Sequence, residues 1–424
     1  MASPHMTRRL VLGLVLVLLA LLLAWWWSQR LDDQPGDVAA PAEPAELSQA
    51  PPQPRLELTP ADFAELPGWG EDDPGPALAA FRRSCEAFGR LPGDRPIGLR
   101  ADGYGGTAAD WRPVCEAAEA VDEDDAAAVR AFFASRFRPL AVANHADPVG
   151  LFTGYYEPTL HGSRRRGGRY QVPVYARPPE LVMVDLGDFR SGLRGNRLAG
   201  RVRDGRLEPY HDRTAIEEGA LAGRGLEIVW VDDPVDAFFL EIQGSGVVVM
   251  DDGSRLRLGY EAQNGWPYYA IGRELIARGS VPREEMSMQA IRDWLEANPE
   301  AAVDMMRTNP SFVFFRRLST SGAVGAQGVV LTPGRSLAVD REFHPLGVPM
   351  WLAAEAPSAA PGEPDRPFRR LLVAQDTGGA IRDPVRGDVF WGPGDEAAEI
   401  AGRMKHQGRL WVLLPNELAA GLAS

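Results

Sequence analysis

Lysine is almost missing from this chain: Lys405 is the single one among 45 basic residues, the rest being arginine. We read that bias as codon usage in a GC-rich genome, not as function. Cysteine is nearly as scarce. Cys85 and Cys115 are too few for a disulfide scaffold or a structural zinc site. The six histidines are scattered without metal-ligand spacing, so no metal is expected. Zinc-protease, phosphate-loop and Gly-x-Ser-x-Gly motifs are missing too, and no cofactor is expected. Positive charge is in deficit: 45 Lys and Arg against 58 Asp and Glu leave a net charge of −13. So acidic a chain repels phosphate backbones, which argues against nucleic acid but not against a neutral polymer such as a polysaccharide. No repeat of fixed period is present.

What is present fits a folded protein. The chain has 424 residues, 45% of them hydrophobic and 24% charged, which suggests two or three domains. Arg8 and Arg9 precede an uncharged run from Leu10 to Trp27. At helical rise those residues span about 27 Å, close to the hydrocarbon thickness of a bilayer. Trp25, Trp26 and Trp27 stand where an interfacial aromatic belt belongs. The positive flank predicts an inside N-terminus and an exported remainder. A cleaved signal peptide is the rival reading, but no small-x-small site follows the run. Residues 1–31 are therefore assigned to an anchor or signal. With no Cys just after the run, a lipid-anchored lipoprotein is not supported. Export opens two readings for Cys85 and Cys115: one structural disulfide, which we favour, or two buried thiols.

Residues 32–58 are rich in Pro, Ala, Glu and Gln and predict a disordered spacer. Helices are expected over Asp110–Val121 and Asp124–Phe137, the second with Val129, Phe132, Phe133 and Phe137 on one stripe. From Leu151 to about Gly259 short apolar runs alternate with Gly- and Asp-rich turns, a β-rich signature; Ala237–Gln243 is one such run. Helices over Trp266–Arg278 and Ser287–Asn298 follow, the latter capped by Ser287 and stopped by Pro299. The remainder to Leu414 is β-rich again, apart from a helix over Glu396–Gln407.

Four segments could carry chemistry. Three combine aromatics, amides and glycines with few charges: Phe152–Pro158, Phe238–Gly246 and Gln263–Tyr269. Flat apolar sugar faces stack on aromatic rings while amides read hydroxyls. The candidate binding residues are Thr153, Gly154, Tyr155, Tyr156, Gln243, Gly244, Ser245, Gln263, Asn264, Gly265 and Tyr268, with Gly378 and Gly379 from the fourth segment. Ordinary β-turns with core aromatics would give the same composition. The fourth segment holds Asp376 in Gln375–Ile381 and then Asp388; Asp340 ends another apolar run. Three carboxylates at strand ends could converge and raise each other's pKa, as a proton donor near neutral pH requires. Capping of turns by the same aspartates is the plainer alternative.

Together these segments carry a resemblance. With Asp233–Phe239, Met286–Ile291 and Asn309–Phe315, the chain resembles the membrane-bound lytic murein transglycosylase A family from about Phe63 to Leu414. Its last part is similar to the 3D domain, named for three aspartates, which map onto Asp340, Asp376 and Asp388. The resemblance implies a mainly β fold with α segments (α+β). A double-psi β-barrel catalytic domain (59–157 and 310–416, with N-terminal helices) would receive an inserted β-barrel (158–309), with a glycan groove between them. It implies non-hydrolytic cleavage of peptidoglycan strands: Asp388 protonates the glycosidic oxygen, then takes the proton of the muramoyl C6 hydroxyl. Asp376 and Asp340 would position and tune it. Hydrolysis with Asp376 as second carboxylate, or an inactive murein-binding scaffold, are the alternatives. The expected place is the periplasmic face of the inner membrane, held by the N-terminal helix. In the resemblance, Trp266 stands where His is usual after Asn-Gly.

Overall fold

A computed structural model describes residues 53–99, 103–193, 197–360 and 362–422. The predicted anchor at 1–31, and residues 32–52 of the predicted spacer, lie outside them. The end of that spacer is ordered: Leu56–Pro60 forms strand β1, paired antiparallel with β2 (Phe137–Asn144). Leu56 and Leu58, two apart on one strand face, pack on the core. So short an alternation does not stand out beside a proline-rich stretch.

Three helices lie between these strands: α1 (Gly75–Gly89), α2 (Ala108–Glu119) and α3 (Ala126–Arg136). The α1 helix was not predicted, although Leu78, Phe81, Cys85 and Phe88 bury one stripe of it. Asp125 caps α3 by accepting from the amides of Ala127 and Ala128. Phe81 packs edge-on against Phe133 and Phe137 and tilted on Trp111, which welds the helices into one layer. A disulfide joins Cys85 of α1 to Cys115 of α2.

After β3 (Gly150–Glu157) the chain departs to build a second body. Its strands are β4 (Thr159–Ser163), β5 (Val172–Tyr175), β6 (Val182–Asp185), β7 (Arg197–Arg203), β8 (Arg206–Pro209) and β9 (Glu227–Val231). Helix α4 (Pro234–Gln243) follows, then β10 (Ser245–Met250) and β11 (Arg255–Gln263). Helices α5 (Ile271–Ala277), α6 (Met288–Ala297) and α7 (Pro299–Arg307) precede β12 (Val313–Leu318). Six of these strands form one sheet in the order β12-β11-β10-β4-β9-β5. A parallel bridge from Ala176 to Phe315 brings its edges together around Leu160, Val229, Val248 and Leu258. Strands β6, β7 and β8 form a separate meander.

One expected strand is a helix. Ala237–Gln243 belongs to α4, where the Asp233 side chain accepts from the amides of Val235 and Asp236, Pro234 opens the first turn, and Gly244 stops it at φ 76°. Those start and stop signals override the apolar run, whose Phe238, Phe239 and Leu240 are buried. The helix predicted from Trp266 starts only at Ile271: Pro267 keeps Trp266 out of the helical region, and the Tyr269 amide donates to the Asn309 side chain instead of to a helical turn. Ser287 caps α6 as expected, bonding the Ala290 amide at 3.1 Å. The predicted Glu396–Gln407 helix ends at Arg403.

The chain then returns through β13 (Ser336–Val339), β14 (Pro349–Ala356), β15 (Arg366–Asp376), β16 (Arg386–Pro393), α8 (Asp395–Arg403) and β17 (Lys405–Pro415). The order β17-β14-β15-β13-β16-β3, with β17 also pairing β3, closes a six-stranded barrel. Phe152, Leu337, Leu352, Leu372, Val389 and Val412 fill it, while Trp351, Leu371 and Leu413 on the opposite strand face pack under the N-terminal layer. Each such buried side chain contributes about 1.5–3 kcal/mol.

Candidate active site

The site lies on the outer wall of the closed barrel, and strand alternation puts it there. Phe152, Leu337 and Val389 point into the core, so their neighbours Thr153, Ala338 and Asp388 point out. In the ladder Ala338 sits opposite Asp388 on one side and Asp376 on the other; Thr153 sits opposite Asp388 on the next strand. Four strands therefore present Thr153, Asp388, Ala338 and Asp376 as one row. Gly154 and Gly150 let the wall close. A Cβ at Gly154 would lie 2.7 Å from the Trp391 indole nitrogen, and one at Gly150 would lie 1.6 Å from the Val385 carbonyl oxygen.

The two carboxyls share a low-dielectric setting made by Tyr155, Ala323, Leu331, Ala338, Ile381 and Phe390. Burial pushes the pKa of Asp388 up; the Arg386 guanidinium and the Thr153 hydrogen bond pull the other way. Burial also raises Asp376, against the Tyr155 hydroxyl and two backbone amides. The Asp376 carboxylate is fully engaged: it accepts from Tyr155 Oη at 2.8 Å, and from the amides of Ala326 and Thr377 at 2.9 Å each. Among the described residues Asp388 holds one hydrogen-bond partner, the Thr153 hydroxyl, at 2.7 Å on Oδ1. Burial and both aspartates hold the Tyr155 phenol well above its usual pKa, so it stays a donor.

Asp340 does not join this pair. It is buried and accepts from the amides of Glu342 and Asp383 at 3.0 and 3.1 Å, with Arg382 at 3.6 Å. The expected convergence of three carboxylates is thus a convergence of two, and the third aspartate stitches turns. Sequence reasoning missed Arg386. Its guanidinium donates to Thr153 Oγ1 at 2.7 Å and to the Gly387 carbonyl. Its place two residues before Asp388, on the same strand face, was the available signal.

The remaining candidates divide. Asn264 is fully buried; its amide donates to the His211 and Pro310 carbonyls at 3.0 and 2.9 Å and accepts from the Phe312 amide at 3.0 Å. Gln243 is buried too, accepting from the Tyr156 amide at 3.0 Å. Ser245 is buried beside the left-handed Gly244. These residues shape the wall from behind. Tyr156 is half-buried near Arg292. Gln263, Gly265, Tyr268 and Gly379 are exposed, and Gly378 is half-exposed. A Cβ on Gly379 would lie 3.7 Å from Tyr268, so here the insertion touches the loop that follows Asp376. Between them opens a cleft of about 540 Å³, floored by Leu151, Val385 and Arg386 and walled by Tyr268, Ala270 and Arg273.

Residues 151–316 match the MltA specific insert domain family, and residues 335–414 match the 3D domain family. Membrane-bound lytic murein transglycosylase A of Vibrio cholerae is 36% identical over 267 residues, which cover 62% of this chain and 65% of that relative. The crystal structure of a membrane-bound lytic murein transglycosylase from Agrobacterium tumefaciens is 36% identical with a TM-score of 0.76, over 87% of this chain and all of that one. The crystal structure of E. coli MltA with bound chitohexaose is 29% identical with a TM-score of 0.58, over 86% and 93% of the two chains. The closed barrel and its insertion are accordingly the expected double-psi β-barrel with a second barrel domain, in a mixed α+β chain.

Proposed function

The chain belongs to the membrane-bound lytic murein transglycosylase A family, and on that footing we propose that it cleaves peptidoglycan glycan strands without water. The bond is the β-1,4 link between N-acetylmuramic acid and N-acetylglucosamine. Asp388, whose pKa burial raises, gives its proton to the glycosidic oxygen. The resulting carboxylate then takes the proton of the muramoyl C6 hydroxyl as that oxygen closes on C1. A 1,6-anhydromuramoyl end results, and the enzyme returns to its starting state. One group acting as acid and then base meets the requirement of microscopic reversibility.

A single observation carries this reading: among the described residues, of the two carboxyls in the row only Asp388 keeps an uncommitted oxygen. A hydrolase needs a second carboxylate to activate water or to attack carbon. Asp376 spends both oxygens on Tyr155, Ala326 and Thr377. The chitohexaose bound by E. coli MltA is an oligosaccharide ligand of the same general kind. We further propose that residues 59–157 and 310–416 form the catalytic domain and 158–309 the glycan-binding insertion. The N-terminal segment would hold it at the periplasmic face of the inner membrane. Among the described residues no helix is long and apolar enough to cross a membrane.

Purified murein incubated with the protein should yield anhydro ends by mass spectrometry, and Asp388→Asn should lower turnover by at least ~10³-fold while murein still sediments the protein. Products bearing only reducing ends would transfer the activity to hydrolysis.

A further inference from the structure

The cleft floored by Arg386, two residues along the strand from Asp388 and with neither aspartate of the row in its lining, is not the surface a bare sugar chain asks for. Val149, Leu151 and Tyr268, each about two-fifths exposed, give it apolar patches. Arg273, Arg382 and Arg386 give it three guanidiniums in a protein whose net charge is −13. The acidic groups of the lining are occupied by turns. Asp147 accepts from the Val149 amide at 3.0 Å, and Asp383 accepts from Asn144 at 2.7 Å and from the Val385 amide at 2.8 Å. Arg382 lies beside Asp340. Among the described residues neither Arg273 nor Arg386 has a carboxylate within salt-bridge distance. Both can still bind one.

Their placement relative to the reacting bond matters. Arg386 is two residues from Asp388 on β16, about 7 Å along the strand. It is bonded to the hydroxyl that touches Asp388. Arg273 faces it from α5 of the insertion. A ligand branch that leaves the glycan near the cleavage point would therefore enter a slot with apolar walls, the exposed guanidinium of Arg273 and the guanidinium of Arg386, which is bonded to Thr153 and the Gly387 carbonyl and feels the charge of Asp388.

We infer that this slot holds the peptide substituent of the murein strand, its methyl-bearing stem against Val149, Leu151 and Tyr268 and a carboxylate between Arg273 and Arg386. The inference rests on the murein reading above and narrows it: the substrate is the peptide-bearing strand rather than the naked glycan.

The test compares intact murein strands with strands stripped of peptide by an amidase, using the full chain. Wild type should cleave peptide-bearing strands with a kcat/KM at least ~5-fold higher, through KM, and the advantage should shrink as salt screens the exposed Arg273. Arg273→Gln, at an exposed position outside the catalytic row, should lose that advantage and keep wild-type rates on stripped strands. Arg273→Lys should restore part of it. Equal kcat/KM on both strands in wild type, or an advantage that survives Arg273→Gln, overturns the slot while leaving the murein reading intact. If neither strand is cleaved, the murein reading itself fails.

Discussion

In the first barrel the ladder returns on itself through four residue pairs between β17 and β3, whereas in the second one bridge, Ala176 to Phe315, joins the edges. Each nevertheless contains a buried arginine used in the same way. Arg335 meets Asp72 in two bonds of 2.7 and 2.8 Å and donates to the Leu371 carbonyl. Arg213 meets Glu241 in two bonds of 3.0 and 2.9 Å and donates to the Asn309 and Ser311 carbonyls. Behind Arg335 stand a closed ladder, a helical layer and a disulfide. Behind Arg213 stand Phe238 and Phe312, whose ring faces it covers. The two converging carboxyls, Asp388 and Asp376, belong to the better-closed body. That is where a site needing fixed geometry belongs, while the wall that greets a polymer can yield.

The comparison can be broken at its weakest point. Arg213→Met leaves the buried Glu241 uncompensated, with an expected loss of about 3–5 kcal/mol. Amide hydrogen exchange should show β9–β12 losing protection while β13–β17 keep theirs. Uniform loss would mean that the barrels unfold as one unit and that their difference in closure has no energetic meaning. A smaller effect should fall on the other side. Replacing Cys85 and Cys115 by Ser opens a crosslink spanning 30 positions, about 3–4 kcal/mol by loop closure. Exchange should then rise in α1 and α2 and not in the insertion.

The smallest effect sharpens the chemistry. The Thr153 bond favours the charged form of Asp388. Thr153→Val removes it, so the Asp388 pKa rises. An acid that must start protonated then works to higher pH, and the alkaline limb of kcat/KM should move up by about one pH unit or less. A downward move would show that another group sets that limb.

How much of this was legible in the sequence depends on the range of the interaction. The aspartates of the 3D resemblance, and the helix capped by Ser287, were readable because each signal sits within a few residues. Thr153 and Tyr155 stood out as a motif, but as sugar binders; that they hold the two carboxyls depends on pairing across 235 and 221 positions respectively. Asn264 and Gln243 looked like hydroxyl readers because an amide's partners are invisible until the fold is known. Arg386 had no composition signal, since arginine is common throughout. Helix α4 was mistaken for a strand because an apolar run of seven fits either period, although Asp233, Pro234 and Gly244 marked its ends.

The hydroxyl of Thr153 has a guanidinium on one side, which can only give hydrogen, and a carboxyl on the other. Its own hydrogen is thereby steered onto Oδ1 of Asp388. When that residue carries its acidic hydrogen, the favoured seat is Oδ2. On the proposed mechanism, Arg386 thus decides which of two chemically equal oxygens is armed, and so from which direction a glycosidic bond approaches.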